Sequence, residues 1–134
     1  GEELPENVKV IIADCGYTSE WEEFKCEANA LHIPWFPVLN AASVMSKLRD
    51  GYDFKQASAL EKVKQSRIPT LFIHGSDDEL VPYSMLDKLY SAAACEKECL
   101  TVNGAGHALS SSVEPELYWN TVESFIEKYL ENKI

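Results

Sequence analysis

The chain has 134 residues, 46% of them hydrophobic, enough for one compact domain with a buried core and too few for two. Lys and Arg number 12 against 22 Asp and Glu, a formal net charge of −10 with no clustered basic patch, which excludes nucleic acid as a partner. No apolar run approaches the roughly 18 residues of a membrane span, and Gly1-Glu2-Glu3-Leu4-Pro5-Glu6 has neither a basic region nor an apolar core for export, so a soluble, cytoplasmic chain with no membrane partner is expected.

In chain order, Val8 to Asp14 reads as a short β-branched strand of the kind buried in a parallel sheet. Thr18 and Ser19 then cap a helix opened by Glu20, Glu22 and Glu23, acids that suit the positive end of its dipole. From Ala28 to Met45 the composition turns apolar and aromatic, with Pro34 and Pro37 breaking any continuous helix. That stretch suits a helical cap, placed over residues 18–55. Ser58 to Lys64 predicts a short helix, Thr70 to His74 a second strand, and Pro82 to Ala93 a helix with Met85, Leu86, Leu89 and Tyr90 at helical spacing. Glu98 to Val102 predicts a third strand, and Pro115 opens a terminal helix whose stripe is Leu117, Val122, Phe125, Ile126, Tyr129 and Leu130. Strands alternating with helices imply a three-layer α/β/α sandwich with about three mainly parallel strands. The 4 cysteines are irregularly spaced, and Cys95 with Cys99 finds no His or Cys pair to complete a zinc site, so reduced thiols and no metal are expected.

The chemistry-bearing residues come after the strands. The apolar run of the second strand stops at His74-Gly75 and is followed by Ser76-Asp77-Asp78, so Asp78 stands in a turn at a strand's carboxyl end, where open α/β sheets place their ligands. Gly104-Ala105-Gly106-His107 comes 29 residues later, after the third strand. A carboxylate that fixes an imidazole, and an imidazole free to take a proton from a hydroxyl, are two thirds of a Ser-His-Asp triad. On spacing alone Asp78 is equally a turn carboxylate and His107 a loop histidine. His74 is expected to close its strand by a hydrogen bond and His32 to lie in the cap. Asp14 is the alternative acid. Cys15 as a replacement nucleophile lacks a Gly-x-Cys-x-Gly elbow, and Ser110, Ser111 and Ser112 follow His107 too closely to serve it. Tyr17, Trp21, Trp35 and Phe36 either line an acyl pocket or form the cap's own small core; Tyr17, Trp35 and Phe36 are the substrate-binding candidates.

At these motifs the chain resembles the α/β-hydrolase superfamily, and more narrowly bacterial serine esterase-like hydrolases in which a strand ending in Ala-Asp-Cys-Gly-Tyr-Thr-Ser follows the nucleophile helix. The resemblance spans almost the whole chain. It implies that His-Gly-x-x-Asp-x-x-Val-Pro carries the triad acid, here Asp78, and that Gly-x-Gly-His carries the base, here His107. The family's Gly-x-Ser-x-Gly occurs nowhere between Gly1 and Ile134. The resemblance therefore implies a single partial domain, the carboxyl-terminal half of such an enzyme, with Gly1 to Asn7 at the exit of the nucleophile helix. Serine and oxyanion hole then lie on preceding sequence, the substrate is a small carboxylic ester or related acyl compound, no cofactor is needed, and the isolated chain is inactive. The alternative is a non-catalytic association module descended from such a hydrolase. With no strand before it, Val8 to Ala13 presents an unpaired edge, which predicts a homo-oligomer through that strand and its disruption by Ile11→Pro.

Overall fold

The computed structural model describes residues 4–54 and 58–130, so Gly1–Glu3 and Lys55, where the expected cap ends, lie outside the described residues. The elements run β1 (Ile11–Asp14), α1 (Glu20–Ala30), α2 (Trp35–Asp50), α3 (Ala59–Gln65), β2 (Thr70–Gly75), α4 (Ser84–Ala92), β3 (Lys97–Val102), α5 (Ser110–Val113) and α6 (Pro115–Leu130). The strands pair in the order β1-β2-β3, all parallel, with Ile11 opposite Thr70 and Thr70 opposite Lys97.

Alternation along the central strand builds two cores. Leu71 and Ile73 join Leu100, Val102, Val122 and Phe125 on the α6 face, whereas Phe72 packs with Leu86, Leu89 and Ala93 of the α4 region and with Leu60 and Val63 of α3. All of β2 is buried, which is why its sequence reads as an unbroken apolar run. Burying each such large side chain contributes about 1.5–3 kcal/mol. Helices thus cover both faces of the sheet, giving the expected three layers.

Local chemistry sets the element ends. Ser19 caps α1 by accepting from the Glu22 amide at 3.2 Å, and Ser58 caps α3 by accepting from the Glu61 amide at 3.3 Å. Pro34 stands at the start of α2 and Pro37 in its first turn, with Phe36 between them out of helical conformation; Gly51, in the left-handed region at φ 71°, ends the helix. β1 is shorter than its apolar run, because pairing begins where the Ile11 amide donates to the Pro69 carbonyl at 2.9 Å, while the Val8 amide turns back to Pro5.

The apolar residues of α2 are spread around the helix rather than gathered in a stripe, so Ser43 is its one fully buried residue and Phe36, Val38, Val44, Met45 and Leu48 face solvent. The aromatic side chains of this region pack in two groups, Phe24, Phe54 and the exposed Tyr52, with Phe24 and Phe54 ring centroids 4.9 Å apart, and Trp35 with Phe36. In β1 the amides of Ile11 and Cys15 both point to β2, at 2.9 and 3.0 Å from Pro69 and Ile73 carbonyls. By the two-residue period the free edge belongs to the amides of Ile12 and Asp14, so proline at Ile11 breaks the inner ladder and not the edge.

Candidate functional site

The three strands end side by side, and the segments beyond their carboxyl ends converge: Cys15 after β1, Ser76 to Asp78 after β2, and Asn103 to His107 after β3. The close approach of the last two segments depends on Gly75. A Cβ at that position would stand 2.1 Å from the Ala105 carbonyl oxygen. The Asp77 amide donates to the same carbonyl at 3.0 Å, and the Ser76 amide to Val102 at 3.0 Å, which clamps the two turns together.

Asp78 is 8% exposed. One carboxylate oxygen accepts from the amides of Leu80 at 3.0 Å and Val81 at 2.8 Å, and the other lies 3.0 Å from His107 Nδ1. Burial pushes this carboxyl up, but the Val81 amide, the His107 ring and the Leu80 amide outweigh it and hold Asp78 below its ordinary value. An ionised Asp78 accepts the Nδ1 proton, fixing the tautomer with Nε2 left for a second hydrogen bond. The His107 side chain is 34% exposed, so Nε2 can meet a reactant.

Folding lowers the Asp78 pKa, so the pairing contributes stability that is present above the unfolded value and is lost as pH falls through the folded one. Thermal melts from about pH 5 to about pH 2 should show this acid-side loss, and Asp78→Asn should flatten it. An unchanged acid slope in that variant would assign the loss to other carboxylates.

Neighbouring residues sort clearly. His74 is fully buried; its Nε2 lies 2.9 Å from the Val81 carbonyl, the strand-closing bond expected, and 3.5 Å from Asp78. Asp77 is exposed and accepts from Ser76 Oγ at 2.7 Å. Asp14 does not reach the imidazole; it accepts from Cys15 and from Tyr118, each at 3.2 Å. Cys15 also comes to this site. Its thiol, an Asp78 oxygen and a His107 ring nitrogen all lie within 4.8 Å of one another. Burial pushes that thiol up to about 12, and the Ala108 amide bond to sulfur at 3.2 Å only partly offsets this, so Cys15 is a neutral thiol and not an attacking thiolate at neutral pH. Ser110 is fully buried.

Of the substrate-binding candidates, Tyr17 stands beside His107 with ring centroids 6.3 Å apart, whereas Trp35 packs on Phe36 at 6.0 Å in the α2 region. Two cavities adjoin Tyr17. One, about 490 Å³, is largely apolar and lies between α3 and the face of β1 and β2, lined by Ile11, Ala13, Val63, Phe72 and Leu89 among others. The other, about 520 Å³, is lined by Glu20, Glu23, Tyr52 and Lys62 among others. Trp35 and Phe36 line neither. Among the described residues no helix is long and apolar enough to cross a membrane.

The sequence pattern of the family described as Serine hydrolase (FSH1) matches residues 2–112. YqkD of Bacillus subtilis, an uncharacterized protein, is 31% identical over 117 residues, which is 87% of this chain and 38% of YqkD. Alpha/beta hydrolase domain-containing protein 17C of Homo sapiens is 32% identical over 84 residues, 63% of this chain and 25% of that protein. The chain thus spans well under half the length of the curated relatives it matches. Among solved structures, an esterase of Pyrococcus furiosus superposes on 97% of this chain and 48% of its own, with a TM-score of 0.71 at 18% identity, a likeness of fold.

Proposed function

The chain belongs to the serine hydrolase (FSH1) family and has an α/β-hydrolase fold, and from that membership we propose that it supplies the acid and base of a triad that cleaves carboxylic esters or related acyl compounds. The observation that carries this reading is the 3.0 Å contact between His107 Nδ1 and an Asp78 carboxylate held ionised. In this scheme Asp78 orients His107, and His107 Nε2 takes the proton of a serine hydroxyl as it attacks the acyl carbon. His107 then returns that proton to the leaving alcohol. Water repeats the sequence on the acyl-enzyme. The serine and the oxyanion donors lie on sequence outside these 134 residues. Tyr17 borders the substrate beside His107, and α1 with α2 form the cap. The substrate is small and not polyanionic, in keeping with the net charge of −10, and the chemistry needs no organic cofactor.

The isolated 134-residue chain is expected to hydrolyse a short activated ester no faster than its His107→Ala variant. A clear excess over that control would refute the assignment of the nucleophile to other sequence.

The β1 edge supports a second role, association. Its Ile12 and Asp14 amides face away from β2, and the largely apolar cavity takes part of its lining from the same strand. We infer that another strand completes the sheet there, from a second copy or from the same parent polypeptide. Light scattering should show the chain as a dimer or larger, and Ile12→Pro should convert it to monomer. A native monomer with this edge free would remove the interface.

A further inference from the structure

We propose that Cys15, Asp78 and His107 form a binding site for one thiophilic divalent cation of zinc's class, and that its occupation shuts off the acid-base pair. One soft sulfur, one carboxylate oxygen and one imidazole nitrogen, drawn from segments beyond three different strands, lie within 4.8 Å of one another. Bonds of about 2.0–2.3 Å in a tetrahedral site place donor atoms roughly 3.3–3.8 Å apart, so a modest rotation of the partly exposed His107 closes the set. The surroundings fit. The Ala108 amide, 3.2 Å from Cys15 sulfur, favours a bound thiolate, and the Leu80 and Val81 amides fix the carboxylate that offers its other oxygen. The exposed side of His107 leaves the fourth position to water.

On binding, the cation takes the His107 lone pair at Nδ1, the nitrogen facing Asp78, and the proton that Nδ1 held moves by way of solvent to Nε2, so the ring stays neutral; the Cys15 thiol proton leaves through Asp14, which already accepts it at 3.2 Å, to solvent. A cation must outcompete that proton, which selects zinc or cadmium over magnesium and calcium. Binding rests on this geometry alone; only its inhibitory consequence rests on the serine hydrolase reading.

The test is a cadmium titration of the complete polypeptide containing this sequence, followed by ultraviolet thiolate-to-cadmium absorption, with zinc as competitor and calcium as control. One ion per chain is expected, displaced by zinc and not by calcium. Cys15→Ser keeps a hydrogen-bonding group but loses the soft donor, and should weaken binding at least about tenfold. Should that variant fail to fold, His107→Ala, altered at a partly exposed position, should weaken binding by a similar factor. An unchanged cadmium signal in either folded variant, carried by other thiols of the polypeptide, overturns the site. Zinc should abolish ester hydrolysis in the native protein. Zinc bound at Cys15 with turnover unchanged overturns the shut-off, whereas a metal-free protein without hydrolysis counts against the hydrolase reading and leaves the binding result standing.

Discussion

Asp78→Asn in the complete polypeptide should lower kcat for a short ester by roughly ten-thousandfold, the scale set by asparagine at the acid position of Ser-His-Asp triads, while KM changes little. The cause is the tautomer. Asp78 accepts at both oxygens, from two backbone amides and from His107 Nδ1, and an asparagine that satisfies Leu80 and Val81 with its oxygen turns its amide nitrogen toward the imidazole. The ring must then place its lone pair at Nδ1 and its proton at Nε2, where it cannot accept from a nucleophile. His107→Ala should cost more, about a millionfold in kcat, because the base itself is gone. The two losses should not add, since both remove one unit. Wild-type turnover in Asp78→Asn would mean that another group orients His107. Asp14 would not be that group, as its carboxylate is taken up by Cys15 and Tyr118.

Gly75→Ala should be the most damaging small substitution outside the pair. Its new methyl would overlap the Ala105 carbonyl, with 2.1 Å to the oxygen and 2.7 Å to the carbon, both backbone atoms that no rotamer change can move. Relief requires β2 and the turn after β3 to part, which breaks the Asp77 amide bond to Ala105 and moves Asp78 from His107. A loss of about 3 kcal/mol is expected, or roughly 10 °C in Tm, together with most of the hydrolysis. Thermal melts and ester turnover on the same sample check it. A Gly75→Ala protein with native stability would mean that these two turns are not in contact.

The turns that hold Asp78 and His107 were legible in the sequence, each a run of apolar residues followed by glycine and a polar side chain, whereas the pairing of the two side chains across 29 residues came from the family resemblance and not from local pattern. The strand and helix assignments were legible from local pattern, and so was the break near Pro34 and Pro37. Cys15 was not legible, because its place beside Ala108, 93 residues away, is created by the parallel register that aligns the strand ends. The direction of the Ile11 amide is likewise a matter of which side β2 takes, which periodicity alone leaves open. Apolar composition marked out the stretch that holds α2 but not how far it is buried, since burial depends on a stripe and not on a total.

The most direct test of the proposed division of the triad is to treat the complete polypeptide with a fluorophosphonate, which traps activated serines, and to map the adduct by mass spectrometry. One modified serine outside residues 1–134 is expected, and no modification when His107 is alanine. An adduct on Ser110, on Cys15 or on any other residue of this chain, or labelling that persists without His107, would contradict the division of the triad between this chain and other sequence.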